Sequence, residues 1–251
     1  MNFALLLVSL TLVTGLIALV DILYWSKKRK PNLKQAKIIE LSRSFFPVFL
    51  IVLLLRSFII EPFRIPSGSL EPTLMVGDFV AVNKFAYGLR LPVLETTILP
   101  ISNPKTGDVV VFRWPPNPSY DYIKRVIGVP GDKIVYHNKM LTINGREMKQ
   151  DFVEYTMDES SGKPVAKFKE TLNGIEHNIF VRPDVKPVDF EVEVPEGYYF
   201  VMGDNRDDSA DSRYWGFVAD EYLRGKAFLV WMSWNSNTGM VRWSKLGSII
   251  H

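Results

Sequence analysis

Two long apolar runs open the chain, and a different texture follows them. Phe3 to Trp25 is almost unbroken hydrophobic sequence, with Asp21 its one charged residue. At about 1.5 Å per residue, a helix of that length crosses a hydrocarbon core of roughly 30 Å. A second run, "FFPVFLIVLLLRSFII", covers Phe45 to Ile60 and holds Arg56 near its far end. It is short for a spanning helix, so a buried core helix is the competing reading. Extension upstream to Leu41 or downstream to Phe63 brings it to spanning length, and Arg56 can snorkel to the interface. The pattern predicts transmembrane helices over 1–25 and 45–61, joined by a loop over 26–44. For the first, a cleaved signal peptide is the rival. That would call for basic residues before the apolar run and small ones after it, whereas "KKRK" follows Trp25.

Beyond Ile60 the texture changes to short β-type runs between turns. Candidate strands are "GDFVAVNKF" (Gly77–Phe85), "GDVVVFRW" (Gly107–Trp114), "YIKRVIGV" (Tyr122–Val129), "KIVYH" (Lys133–His137) and "MLTI" (Met140–Ile143). "GYYFVMG" (Gly197–Gly203) and "GKAFLVWMSW" (Gly225–Trp234) complete the set, and "INGRE" reads as a strand entering an Asn-Gly turn. Long helical periodicity is absent here. The segment over about 145–195 is more polar, with few dense apolar runs, and reads as an inserted subdomain or long excursion. The expected fold is mainly β, residues 62–251 forming one domain carried on two N-terminal helices.

Charge sharpens the topology. The net charge is +3, but residues 26–44 hold seven basic side chains against Glu40 alone. That loop is expected to stay in the cytoplasm, leaving everything after Ile60 on the other side; binding of anionic lipid is a second use for it. Asp21 and Arg56 cancel, so residues 61–251 carry −3, which argues against a nucleic-acid surface. The chain has no cysteine, which removes disulfides, thiol catalysis and cysteine-rich zinc sites together.

Three polar clusters carry candidate chemistry. The first is "RIPSGSLEPTLM", Arg64 to Met75. Pro, Ser and Gly are ordinary turn formers. Its position is less ordinary: Ile60 to Ser69 is nine residues, at most about 30 Å even fully extended, so the serines lie near the membrane surface. A nucleophilic serine needs a base. His137, His177 and His251 have no suggestive neighbourhood, although a Ser-His-Asp triad stays open. Lysine is the other base, provided that burial lowers its pKa from about 10.4 toward neutrality. In "DYIKRVIGVPGDK", alternation puts Lys124 with Tyr122 and Val126 on one face and Arg125 with Ile123 and Ile127 on the other. Both faces are apolar, which fits a strand buried on two sides, where a lysine cannot easily reach water. The third cluster is "GDNRDDSADSRYWG", Gly203 to Gly216, four aspartates and two arginines between aromatic runs. The glycine and glutamate that an EF-hand needs are missing; Arg-Asp pairing in a fixed loop accounts for it better.

These clusters in this order, after two apolar runs, closely resemble the bacterial type I signal peptidases (leader peptidases). The likeness covers nearly the whole chain, through "IPSGSLEPTL", "GDVVVF", "DYIKRVIGVPGDK" and "GDNRDDSADSRYWGFV". It implies a membrane-bound serine endopeptidase that removes signal peptides from exported preproteins, with a β-rich catalytic core related to the self-cleaving SOS repressors. By the resemblance Ser69 is the nucleophile and Lys124 the general base. Ser67 joins the Ser69 backbone N–H in the oxyanion hole, Ser209 hydrogen-bonds the lysine, and Asp211 and Arg213 brace the site by a salt bridge. The family's preference for small residues at −1 and −3 implies two shallow apolar pockets, which Ile65, Leu74 and strand residues near Val80 are expected to help line. No metal or cofactor is implied. The expected partners are preproteins and the lipid bilayer, with no nucleic acid, for a monomer in the bacterial inner membrane whose catalytic domain faces the periplasmic side. Two departures stand out. Leu70 replaces the usual methionine, a volume-conserving swap. Asp208 replaces a common asparagine, and its charge is expected to raise the Lys124 pKa. A membrane-anchored β-domain scaffold is the alternative from another class; the Trp-rich end "WMSWNSNTGMVRW" would suit partner or lipid contact.

Overall fold

The first apolar run forms helix α1 (Phe3–Val20), which passes through a π-type turn, Asp21–Trp25, into α2 (Ser26–Lys28). In this computed structural model, which describes residues 3–28, 36–90, 97–235 and 238–251, α3 (Lys37–Leu54) follows and ends in a second π-type segment, Leu55–Ile59. The second helix begins at Lys37 rather than at Phe45. Helix growth is cooperative, and "KIIELSRS" has no breaker to stop it upstream of the apolar run. Of the basic loop, 26–28 and 37–44 are helical; residues 29–35 lie outside the described residues. Leu5–Lys28 and Lys37–Ser57 are each long and apolar enough to cross a membrane. Asp21, fully buried in its side chain, pairs with Arg43 of α3 at 3.3 Å, so the acid in the first span is not left bare.

The chain divides into two compact units, one of Met1–Ile60 with Leu89–Leu99, the other of Glu61–Gly88 with Pro100–His251. The strands follow in chain order: β1 (Ile60–Arg64), β2 (Asp78–Asn83), β3 (Gly88–Arg90), β4 (Thr97–Pro100), β5 (Val109–Arg113) and β6 (Asp121–Gly128). Then come β7 (Lys133–His137), β8 (Met140–Ile143), β9 (Arg146–Glu147), β10 (Lys149–Met157), β11 (Pro164–Leu172) and β12 (Ile175–Val181). The last are β13 (Phe190–Glu193), β14 (Tyr198–Met202), the one-turn helix α4 (Ser212–Trp215), β15 (Val218–Ala219), β16 (Leu223–Asn235), β17 (Met240–Val241) and β18 (Ser248–Ile249). β3 and β4 pair with each other, most of their residues belonging to the first unit.

The principal sheet runs β1-β2-β16-β5-β6-β14-β15, with β17 and β18 added to β16. β5 and β6 lie at its centre, antiparallel, with Val110 opposite Lys124 and Val109 opposite Arg125. Both faces are covered. Val109, Val111 and Ile123 pack into one apolar cluster with Ile65, Leu70, Leu74 and Val80. Val110, Phe112, Val126 and Tyr122 pack into another with Tyr199, Val201 and Leu223. That explains why these strands read as continuous apolar runs rather than as alternations.

The polar excursion has more order than its composition suggested. β10, β11 and β12 form a three-stranded antiparallel sheet. β13 instead pairs with β7 in a second small sheet, β13-β7-β8-β9, whose core residues include Ile134, Tyr136 and Leu141. The Asn-Gly turn between β8 and β9 has positive φ at both central residues, 51° and 75°, as a two-residue hairpin requires. β10 is an edge strand exposed along most of its length. It therefore carries no alternation of apolar and polar positions.

Candidate active site

The first cluster is fixed before it turns. Ile65 N–H donates to the Asp78 carbonyl at 2.8 Å, and Gly77 N–H donates back to the Ile65 carbonyl at 3.0 Å, which ties the loop mouth to β2. Ser67 is extended, and Gly68–Leu70 then make one 3-10 turn closed by Glu71 N–H on the Gly68 carbonyl at 3.0 Å. Leu70 has no exposed surface and pins the turn into the core beside Ile65 and Leu74. With its neighbour anchored, Ser69 is 8% exposed.

Lys124 comes to this serine from the central strand, and its Nζ is hydrogen-bonded to Ser69 Oγ. Ser67 Oγ lies 3.4 Å from Ser69 Oγ. Among the described residues, the hydrogen-bond partners of the Ser69 hydroxyl are Lys124 and Ser67, and no histidine is one of them. His137 pairs at the surface with Asp189, His177 is buried against Glu170, and the His251 carbonyl accepts from Arg125.

Burial lowers the Lys124 pKa to about 8; the carboxylates of Asp211 and Asp204 work against that, and the Arg213 guanidinium works with it. Desolvation wins because the lysine is 4% exposed and no carboxylate touches it. At about pH 7 roughly one molecule in ten then carries a neutral amine, against well under one in a thousand for a free lysine. Asp208 is exposed and is not among the charges acting on Lys124, so the expected elevation by this residue is corrected: solvent screens it.

The third cluster wraps the lysine. Asp211 caps α4 and takes a fork from Arg213, Nε to Oδ1 and Nη2 to Oδ2, both at 2.8 Å. It also accepts Gly203 N–H at 2.9 Å, and Arg213 Nη2 donates to the Arg206 carbonyl at 2.5 Å. Burial pushes the Asp211 carboxyl up, but these donors hold it below the ordinary range. Ser209 is buried next to Asp211, whose carboxyl it helps to hold low, and among the described residues it makes no hydrogen bond to Lys124. Its Oγ instead crowds Gly203, where a Cβ would collide with both Ser209 and the Ser69 carbonyl.

A cleft of about 460 Å³ opens at Ser69 and Lys124, lined by Pro66, Ser67, Ser69, Tyr122, Ile123 and Ala210 among others. Ile65, Leu74 and Val80, the expected pocket residues, are at most 2% exposed and belong to the core cluster behind the loop. Tyr122 and Ile123 line the cleft in their stead, because β6 presents residues just before Lys124 at the cleft wall. Sequence reasoning also passed over Asn205, whose N–H donates to the Ser69 carbonyl at 3.1 Å. Its place in "GDNRDD" was the available signal. Asp158 and Glu71, buried beside the same loop, had none.

The family model described as "Signal peptidase, peptidase S26" matches residues 38–234. Signal peptidase I of Pseudomonas aeruginosa is 45% identical over 93% of this chain and 93% of its own length. Signal peptidase I of Pseudomonas fluorescens is 43% identical, again over 93% of each chain. Among solved structures, a signal peptidase I from Enterococcus faecalis is 30% identical over 50% of this chain and 97% of its own, with a TM-score of 0.34.

Proposed function

The chain belongs to the signal peptidase family, peptidase S26, and from that premise we propose that its peptide-bond hydrolysis runs on a Ser69/Lys124 dyad in a membrane-bound enzyme. The observation that carries the reading is the buried contact between the Lys124 amine and the Ser69 hydroxyl.

The neutral amine accepts the Ser69 proton as Oγ attacks the scissile carbonyl. The carbonyl oxygen becomes an oxyanion, stabilised by the Ser67 hydroxyl and the Ser69 N–H; one such donor is typically worth about 10²- to 10³-fold in rate. The Lys124 ammonium then gives its proton to the leaving amine, and the acyl-enzyme is left on Ser69. Lys124, neutral again, takes a proton from water as the water oxygen attacks the ester, and passes it to Ser69 Oγ as the acyl–oxygen bond breaks. Asp211 and Arg213 hold the loop that shields the amine, so that it stays desolvated through both halves.

The substrates are preproteins bearing signal peptides. Two apolar helices precede the catalytic unit, and the short stretch from Ile60 to Ser69 keeps the nucleophile near the bilayer surface where such segments emerge. With the basic loop in the cytoplasm, the catalytic unit lies on the periplasmic side of the inner membrane. The scaffold alternative lacks support from relatives that are peptidases.

The test is cleavage of a preprotein by the full chain in detergent micelles, with the cut site read by mass spectrometry. Ser69→Ala and Lys124→Ala are expected to lose cleavage almost completely while remaining folded. Normal processing by either variant would remove the dyad.

A further inference from the structure

The turn joining β10 and β11 reaches back onto the nucleophile loop. Asp158, at the end of an otherwise exposed strand, is 1% exposed. Its Oδ1 accepts Ser160 N–H at 2.9 Å, Ser160 Oγ–H at 2.8 Å and Ser161 N–H at 3.3 Å. Its Oδ2 accepts Ser161 Oγ–H at 2.7 Å and Asn205 Nδ2 at 2.9 Å. The same Asn205 Nδ2 donates to the Gly68 carbonyl at 3.2 Å, while Asn205 N–H holds the Ser69 carbonyl. Ser160 sits so close to Gly68 that a Cβ there would collide with its side chain, so only glycine lets the two loops meet.

Glu71, two residues past Ser69 and also 1% exposed, meets Asp158. Burial first, and the Asp158 carboxylate second, push Glu71 up to about 8. Burial also works against charge on Asp158, but hydrogen bonds from Glu71, Ser161, Asn205 and Ser160 outweigh it and hold that carboxyl well below the usual range. Near neutral pH the pair therefore holds one proton, on Glu71. The other charged groups about Glu71 are Glu159 and Asp208 on the adjoining cleft, Arg242, which is ion-paired to Glu159 at 2.5 Å, and Lys245, which donates to the Pro72 and Thr73 carbonyls at 3.2 and 3.0 Å.

We propose that the 158–161 turn is part of the catalytic apparatus, with Asp158 a positioning residue that acts through Asn205 and the Glu71 carboxyl to hold Gly68 and Ser69 in attacking geometry. The inference rests on Ser69 being the nucleophile. The Asn205 hydrogen bonds end on the two peptide carbonyls that flank the Ser69 N–H and Oγ. Rotation of those peptides would misdirect nucleophile and oxyanion donor together, and a displacement of about 1 Å at a reacting atom can cost on the order of 10²-fold. When Glu71 loses its proton, two carboxylates face each other without a bridging hydrogen, and the turn loosens from the loop.

The experiment measures kcat and KM for a preprotein peptide, using the full chain in detergent micelles from about pH 6 to about pH 10, a range that brackets both groups. Asp158→Asn is expected to lower kcat about tenfold or more while KM stays within about twofold. The wild type is expected to decline on the alkaline side, and Glu71→Gln, whose carboxamide donates without titrating, to keep its activity there. Wild-type kcat in Asp158→Asn, or an unchanged alkaline decline in Glu71→Gln, overturns the proposal; if Asp158→Asn does not fold, the Glu71→Gln profile decides alone. Lys124→Ala runs beside them: cleavage by that variant removes the dyad itself, whereas an inactive Lys124→Ala with an unaffected Asp158→Asn removes only the positioning role.

Discussion

Arg125 grips Asp204 with two nitrogens, Nε to Oδ1 at 2.8 Å and Nη2 to Oδ2 at 2.7 Å, one residue along the strand from Lys124. Both partners are buried, and Arg125 also donates to the Gly107 and His251 carbonyls at 2.8 and 2.5 Å. Adjacent cations on one strand thus meet opposite fates. Arg125 is matched by a carboxylate and two carbonyls; Lys124 meets a hydroxyl and is pushed toward neutrality. Arg125→Leu leaves Asp204 a buried charge without its fork. A loss of about 3–5 kcal/mol is expected, read by thermal melting in detergent. Removing both partners, in Arg125→Leu with Asp204→Leu, should recover part of it.

Activity should follow the neutral fraction of Lys124. With its pKa lowered to about 8, kcat/KM is expected to rise with pH toward that value, on the acid side of the decline set by Glu71. Asp211 raises this pKa and Arg213 lowers it. Asp211→Asn should therefore shift the rising limb to lower pH in whatever folded enzyme remains. A limb that stays fixed would show that another group controls it.

Stability should carry the same signature with a definite sign. The Lys124 pKa is depressed on folding, so its contribution is fully favourable only above about 10.5 and is lost as pH falls through about 8. Lys124→Met removes the group at similar volume. The variant should be more stable than wild type by up to about 3 kcal/mol near pH 7, a gain that shrinks as pH approaches 10. Melting curves at several pH values measure this, and a gain independent of pH would contradict it.

Gly203→Ala tests how tightly the third cluster closes on Ser69. The new methyl would run into the Ser69 carbonyl and Ser209. Because one obstacle is backbone, relief requires the Ser69 loop to move. Cleavage is expected to fall about 10²-fold, with a smaller loss of melting temperature. Near-normal turnover would mean that the loop yields freely.

The cleft wall offers a specificity test. Ala210 lines the cleft at an exposed position. Ala210→Trp should raise KM for preproteins about tenfold with kcat little changed, since bulk there obstructs substrate without altering the dyad. Steady-state kinetics on one peptide substrate separates the two parameters.

Much of this protein was readable along the chain because the cause was local. Twenty-three nearly uncharged residues are enough to call for a spanning helix. Three consecutive valines flanked by turns imply a strand with both faces covered, and β5 has Val109 and Val111 in one cluster and Val110 in the other. A lysine in such a strand was expected to be denied solvent, and Lys124 is. The helix start at Lys37 was missed because polar residues can extend a helix without any apolar signal.

What the chain could not reveal is how segments distant in sequence share space. β10 is exposed and polar, so it reads as excursion; the buried turn at its end becomes visible only when Asp158 is seen against Glu71, 87 positions away in the chain. Ser209 and Asp208 were assigned by motif, yet one makes no bond to the lysine and the other faces water, since a loop's local sequence does not dictate which side chains turn inward. Local composition sets which residues must be buried and which segments must be helix or strand. Which buried polar groups meet, and hence where a proton resides at neutral pH, depends on packing in three dimensions, because desolvation and hydrogen bonding are properties of neighbours in space.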